Sequence, residues 1–200
     1  MTTPFNEQKF LSLISFTHVL TKIFKILFII AFSSTVLLFL IGIFLPSDFM
    51  VFDLAEVSVQ FSAYITDNIR LSANDFEGFV SLKTILVFAG LFGAIGLAFV
   101  VYVTHQLEHV LKDIKATIPF SDDNVKRITL TSYAFIIASV LLPLLNVLFF
   151  HQITRNITQP EFQMDFSFNA GYLFAGLILY LLAKVFAYGG FLQHSYDETV

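Results

Sequence analysis

Four long apolar segments run through this sequence and favour a membrane protein over a soluble domain. Three of them contain no Asp, Glu, Lys or Arg, and the fourth contains only Lys184. The four segments are Ile26–Leu45, Thr84–Val103, Ile128–Phe150 and Phe166–Leu192. Roughly 20 apolar residues, each rising 1.5 Å along a helix, cross the hydrocarbon core of a bilayer. Each segment is therefore long enough to span a membrane, and four such lengths in one chain disfavour a soluble core of buried helices.

The composition points to the same class of protein. Charged residues make up 13% of the chain, whereas a soluble domain carries about 25%. The absence of cysteine excludes disulfides, thiolate catalysis and Cys-ligated metal. A net charge of -4 offers no basic surface for nucleic acid. We predict an all-α membrane protein, a four-transmembrane-helix bundle in a single domain over residues 1–200, with helices at approximately 23–45, 83–104, 128–150 and 170–192.

The loops between these segments alternate in charge, and this pattern predicts an orientation. The loop over residues 46–82 holds six acidic residues and Arg70 as its only base. Basic residues gather in the N-terminal tail and in the loop between the second and third segments: Lys9, Lys22, Lys25, Lys112, Lys115, Lys126 and Arg127. Because basic residues in short loops stay cytoplasmic, both termini and the middle loop are expected inside.

The two outer loops show the periodicity of β-strands. Apolar residues from Val57 to Ile65 alternate with polar ones, Asp67-Asn68 follows as a turn signal, and Ile69–Leu71 offers a returning strand. The third loop repeats the alternation from Phe162 to Phe168. We predict a small extracytoplasmic β-structure from loops 1 and 3, because a third strand would support an otherwise marginal hairpin. Irregular loops lying on the membrane are the alternative.

The middle loop begins with an apolar pattern of helical spacing. Five apolar residues within Thr104–Ile118 predict a cytoplasmic amphipathic helix between helices 2 and 3. Ser121 is a good N-cap, and Asp122 and Asp123 suit the positive end of the helix that follows. The segment therefore predicts a stop, a turn and a new helix start.

The residues at this turn also carry a resemblance to a family. Pro119-Phe120-Ser121 with Asn124 resembles the P-F-[ST]-x-x-N motif of the domain of unknown function 2975 family. The stretch Leu182-Ala183-Lys184-Val185-Phe186, followed by Gly189 or Gly190, by Leu192 and by Glu198-Thr199-Val200, is similar to the family's C-terminal pattern. The resemblance implies a four-helix protein of the bacterial cytoplasmic (inner) membrane without an assigned activity. It marks Pro119, Phe120, Ser121, Asn124, Lys184, Phe186 and Gly189 as structural or partner-facing.

The resemblance also suggests a function by association, since genes of this family often neighbour a small helix-turn-helix regulator. The expected function is therefore a membrane sensor or regulatory partner of such a cytoplasmic protein, without direct nucleic-acid binding. A small transporter or channel-like protein is the first alternative, which needs a polar cavity near Pro143, Asn146 and Lys184.

A metal-dependent enzyme is the second alternative. His105-Gln106-Leu107-Glu108-His109 matches the H-x-x-E-H pattern, in which two histidines one helical turn apart share a zinc ion. The competing interpretation is an exposed helix face, where Glu108 pairs with Lys112 and His109 with Asp113. Since a five-residue pattern recurs by chance, we expect no catalytic residue and no cofactor.

Small residues in the second segment predict close helix packing. Gly90, Gly93 and Gly96 lie within it, and small residues let helix backbones approach closely in lipid.

Overall fold

Four long helices dominate the structure, a computed structural model. It describes residues 7–53, 61–66, 69–73, 77–155, 157–158, 161–164 and 168–197. The helices are α1 (Glu7–Phe44), α2 (Leu82–Lys115), α3 (Asp122–Thr154) and α4 (Ala170–Asp197). All four are long and apolar enough to cross a membrane, which confirms the four helices predicted from the charge-free segments.

The helices are longer than the membrane spans predicted from sequence. In particular, α2 continues without interruption from Leu82 to Lys115, so the amphipathic helix predicted from Thr104 is the end of α2 rather than a separate element. The reason is local: no glycine or proline lies between Gly96 and Pro119, so nothing breaks the i→i−4 hydrogen-bond ladder. The Thr104 hydroxyl itself donates to the Val100 carbonyl at 2.8 Å.

Within the described residues, the two segments that connect α1 to α2 and α3 to α4 form six short strands. In chain order they are β1 (Val51–Asp53), β2 (Phe61–Thr66), β3 (Ile69–Ala73), β4 (Glu77–Ser81), β5 (Ile157–Thr158) and β6 (Glu161–Met164). They form two three-stranded sheets of order β1-β4-β5 and β2-β3-β6. All the pairings are antiparallel. Each sheet therefore combines strands from both connecting segments.

The strand predictions match this arrangement in part. The returning strand expected at Ile69–Leu71 is β3, which pairs with β2 and with β6 of the other segment. The stretch 57–60, the turn at 67–68 and residues 165–167 lie outside the described residues. Sequence periodicity missed β1 and β5 because strands of three and two residues are too short to display it. It missed β4 because Phe79 and Val80 are adjacent apolar residues, so Glu77–Ser81 does not alternate.

The chain divides into two compact bodies. The first body comprises Met1–Ile29, Phe99–Ala138 and Gly171–Val200, and the second comprises Ile30–Ala98 and Ser139–Ala170. In the first body, Val110, Ile128 and Ala183 form a buried cluster that joins α2, α3 and α4. The single domain predicted over residues 1–200 stays a prediction.

In the second body, α1 and α2 approach each other at glycines. A Cβ atom added at Gly90 would lie 2.6 Å from the backbone nitrogen of Phe39, and one added at Gly93 would lie 3.3 Å from the Thr35 side chain. Gly96 has nothing within 4 Å of that position. The close approach predicted for the small residues therefore holds at Gly90 and Gly93 but not at Gly96.

This difference provides a matched test of helix packing. Gly90→Ala should lower the free energy of unfolding by about 1–3 kcal/mol, because the added methyl group must push the α1 backbone away. Gly96→Ala should be neutral or stabilise by up to about 1 kcal/mol, since alanine is the better helix former and the site is open. Thermal unfolding of both variants in the same detergent measures the difference, and equal melting temperatures would contradict this packing.

Candidate functional site

The connection between α2 and α3 is a tight turn with defined hydrogen bonds. The Ile118 N–H donates to the Asp113 carbonyl at 3.0 Å, and the Thr117 N–H donates to the Ile114 carbonyl at 3.1 Å. Thr117 has a φ of 62°, in the left-handed region. This is the pattern of a Schellman C-cap, here with a threonine at the position usually held by glycine. The cap ends α2 and directs the chain into Pro119.

The next residues start α3 in the way that the sequence predicts. The Ser121 Oγ accepts a hydrogen bond from the Asn124 backbone N–H at 3.3 Å, and the Ser121 carbonyl accepts the first helical bond from Val125 at 3.1 Å. Asp122 and Asp123 occupy the first turn, where carboxylates favour the positive end of the helix dipole. Ser121 is therefore the N-cap of α3.

Asn124 connects this turn to the first turn of α3 through a hydrogen bond of its side chain. Its side chain has no exposed surface, and its Nδ2 donates to the Pro119 carbonyl at 3.1 Å. Its Oδ1 is buried and has no hydrogen-bond partner within the described part of the chain. A buried amide that bridges two ends of a turn fixes the turn's shape, because losing the bond would strand a buried polar group.

Phe120 packs the turn against α4. A Cβ atom added at Gly189 would lie 2.8 Å from the Phe120 ring, and one added at Gly190 would lie 2.8 Å from the Phe120 carbonyl oxygen. The Phe120 ring also packs edge-on against Phe186, with centroids 5.4 Å apart. The glycine pair therefore makes room for both the ring and the backbone of Phe120. We call this arrangement the Phe120–glycine contact.

Six of the seven motif residues meet in this assembly, and Lys184 does not. Pro119, Phe120, Ser121 and Asn124 build the turn, and Phe186 and Gly189 receive it on α4. Lys184 is exposed, and its Nζ lies 5.2 Å from the ring centroid of Tyr180 on the same helix. Two successive glycines inside a helix signal a close backbone approach, and this signal marks Gly190 as a further member of the site.

An ion pair links α1 to α2 in the first body. The Lys25 ammonium group donates to the Glu108 carboxylate, and the side chains are 21% and 17% exposed. The pairing of Glu108 with Lys112 considered from sequence is therefore replaced by a partner 83 residues away. Glu108 is an acid among basic residues, which signals an ion pair, but helical spacing cannot select a partner on another helix.

The two histidines considered for zinc lie one helical turn apart on α2. The rings of His105 and His109 have centroids 4.6 Å apart and are nearly perpendicular. Within the described residues, no group of three or more His, Cys, Asp or Glu side chains is placed to hold a metal ion. Glu108 between them is engaged by Lys25. Metal binding at His105 and His109 stays a prediction. The described residues place no third protein ligand beside these two histidines.

A groove of about 370 Å³ opens between α2, α3 and α4 in the first body. Its walls are almost entirely apolar and include Val103, Val110, Ile128, Phe135, Leu179 and Phe186. Pro143, Asn146 and Lys184, the residues considered for transport, do not line it. Asn146 and Lys184 are exposed, and Pro143 is buried inside α3.

Comparison with known families gives one result. The sequence model of the family described as "Protein of unknown function (DUF2975)" matches residues 68–200. This stretch includes the turn, the glycine pair and the groove-lining residues. No curated protein and no solved structure matches the chain.

The Phe120–glycine contact can be tested by a double-mutant cycle. Gly189→Ala should lower the free energy of unfolding by about 1–3 kcal/mol, because the new methyl group overlaps the Phe120 ring. Adding Phe120→Leu should recover at least about 0.5 kcal/mol relative to the sum of the two single changes. Thermal unfolding of the four proteins in one detergent measures the coupling.

Gly190→Ala is the matched control. Its methyl group would meet the Phe120 carbonyl oxygen rather than the ring, so Phe120→Leu should not relieve it. Additive effects at Gly189, or equal relief at both glycines, would contradict the contact.

Proposed function

Because this chain belongs to the family Protein of unknown function (DUF2975) and has four helices long and apolar enough to cross a membrane, we propose that it is a multi-pass regulatory protein of the bacterial cytoplasmic membrane. Both termini and the α2–α3 turn face the cytoplasm. The end of α4 binds a small cytoplasmic helix-turn-helix regulator, and the acidic connecting segments on the other side receive a signal.

The arrangement of charges supports this position in the membrane. Arg127 and Lys184 are sequence neighbours of Ile128 and Ala183, which pack together in the buried cluster of the first body. Lys25 pairs with Glu108, two residues before Val110 of the same cluster. Cations from three helices therefore lie at a similar height along the first body. From that height towards the second body's part of each helix, α1, α2 and α3 contain no charged residue over their charge-free segments. Basic residues at such a level favour the cytoplasmic side.

The exposed end of α4 is the observation that carries the partner proposal. Residues 185–197 extend α4 by about 20 Å beyond Lys184. This part of the helix exposes large rings, with Tyr188 62%, Phe191 65% and Tyr196 76% exposed. The rings of Tyr188 and Phe191 stack at 6.5 Å. Phe174 and Leu181, before Lys184, are equally exposed, so the position of the rings rather than their exposure carries the argument. Aromatic rings at the end of a span border the membrane–water interface, where a cytoplasmic protein can contact them. We call Tyr188, Phe191 and Tyr196 the α4 ring surface.

The sheets support a receiving face formed by both connecting segments. Ile69 to Ser72 pair with Met164 to Glu161, and Glu77 and Gly78 pair with Thr158 and Ile157. A ligand that binds either segment thereby acts on the other, because the two share backbone hydrogen bonds. On the proposed orientation this face lies outside the cytoplasm.

The two alternatives have less support in the described residues. A transporter needs a polar path, whereas the groove of the first body is apolar and Asn146 is exposed. A zinc enzyme needs a third protein ligand beside His105 and His109, and the described residues supply none. Neither role accounts for the α4 ring surface.

Co-purification with the adjacent regulator tests the proposal. The tagged protein, extracted in mild detergent, should retain a small helix-turn-helix protein, which the family resemblance leads us to expect from a neighbouring gene. The double change Tyr188→Ala and Phe191→Ala should reduce retention by at least about tenfold, because hot-spot rings contribute 1.4 kcal/mol or more. Leu181→Ala is the matched control, since Leu181 is 64% exposed but lies in the apolar stretch of α4 before Lys184.

Retention is measured by quantitative immunoblotting, alongside transcription of the neighbouring genes. Isolation of the wild-type protein alone, together with unchanged transcription after its deletion, would contradict the proposed function. Equal loss for Leu181→Ala would show that retention depends on the helix as a whole rather than on the α4 ring surface.

A further inference from the structure

We propose that the apolar groove of the first body, together with Arg127, is a binding site for one anionic phospholipid. An acyl chain lies in the groove between α2, α3 and α4, and the phosphate group is bound by the Arg127 guanidinium. No part of this site is needed for binding of the regulator at the α4 ring surface. Failure of one proposal therefore leaves the other standing.

The groove has the size and chemistry of an acyl-chain site. Its volume is about 370 Å³. Val103, Thr131, Phe135 and Leu179 wall the part that lies towards the long charge-free stretches of α2 and α3. In a bilayer, an opening of this kind borders hydrocarbon rather than water, and lipid chains are as apolar as leucine side chains. A chain that fills the groove restores the contacts that an empty space would forfeit.

Arg127 lies beside the groove with an unused donor. Its Nε is buried and has no hydrogen-bond partner in the described part of the chain. Arg127 does not itself line the groove, but it immediately precedes the lining residue Ile128. It also lies one helical turn before Thr131, another lining residue, on the same face of α3. A guanidinium presents a planar fork that matches phosphate oxygens. Because Nε itself is enclosed, an anion binds the half-buried side chain at the outer nitrogens of its guanidinium.

Charged groups of both signs lie near Arg127. Lys112 and Lys126 are exposed, as are Asp122 and Asp123 in the first turn of α3, and Glu108 is already bound by Lys25. The selection of an anion therefore depends on the Arg127 guanidinium, which forms no ion pair with a carboxylate of the described residues. The adjoining groove selects an anion that carries an acyl chain. An anionic phospholipid has both parts, whereas free phosphate has only one.

Native mass spectrometry of the full-length protein tests this site. The protein is incubated in detergent with equal amounts of phosphatidylglycerol and phosphatidylcholine that carry the same acyl chains. We expect one tightly retained lipid, with phosphatidylglycerol preferred by about tenfold or more, on the scale of one charge-assisted hydrogen bond. Glycerophosphoglycerol, the same headgroup without acyl chains, should not displace it at equal concentration.

Three variants separate the two parts of the site. Arg127→Gln should abolish the preference for phosphatidylglycerol, whereas Lys126→Gln should retain it, because Lys126 is exposed and carries the same charge one position away. Val103→Phe should narrow the groove and reduce retention of both lipids. Thermal unfolding of each variant identifies any that does not fold. If a variant does not fold, the preference of the wild-type protein for phosphatidylglycerol over phosphatidylcholine decides the proposal.

Several outcomes would overturn the site. Equal retention of the two lipids by the wild-type protein would show that no anion is selected. Displacement by glycerophosphoglycerol would indicate a headgroup or phosphate site that does not use the groove. Equal effects of Arg127→Gln and Lys126→Gln would indicate a general surface charge. A peptide or protein retained in the groove in place of lipid would assign it to another class of partner.

Discussion

The cost of placing charge in hydrocarbon is the constraint on which the rest of this structure depends. It accounts for the charge-free lengths of α1, α2 and α3 and for the gathering of basic side chains near one level of the first body. Glu108, an acid at that level, is bound by Lys25. Pairing lowers the cost of holding a carboxylate where water is scarce, and it also joins α1 to α2. The arrangement leaves Arg127 with a buried donor beside an apolar groove.

The Phe120–glycine contact gives the polar side of the first body its fixed shape. Asn124 holds the turn closed from within, and Gly189 and Gly190 admit Phe120 to the surface of α4. The α4 ring surface begins at Tyr188, the residue next to Gly189. On the proposed function, a protein bound to these rings contacts the helix at the place where the start of α3 is anchored. Packed contacts of this kind are the physical elements through which a change at one end of a helix reaches another element.

Local features of the structure follow from the sequence, and distant pairings do not. The helices follow from charge-free length, and the start of α3 follows from Ser121 and the two aspartates after it. The helix beyond Thr104 was predicted as a separate element, but it is the continuation of α2, because the edge of a membrane span does not end a helix that lacks a breaking residue. The Lys25–Glu108 pair joins residues on different helices, so it depends on which helices become neighbours. The motif residues around Phe120 were recognised as a group. The requirement for glycine at position 189 was not predicted, because it comes from the ring of Phe120, which lies about 70 residues earlier in the chain.

The orientation is the claim on which the proposed function rests most directly, and the absence of native cysteine makes it measurable with single introduced thiols. Ala116→Cys places a thiol at the exposed end of α2, and Ser47→Cys places one in the exposed connection after α1. Intact bacterial cells are treated with a membrane-impermeant maleimide before and after permeabilisation. On the proposed orientation, Ser47→Cys is labelled in intact cells and Ala116→Cys only after permeabilisation. The reverse pattern would place the turn and the α4 ring surface outside the cytoplasm and would contradict the proposed orientation.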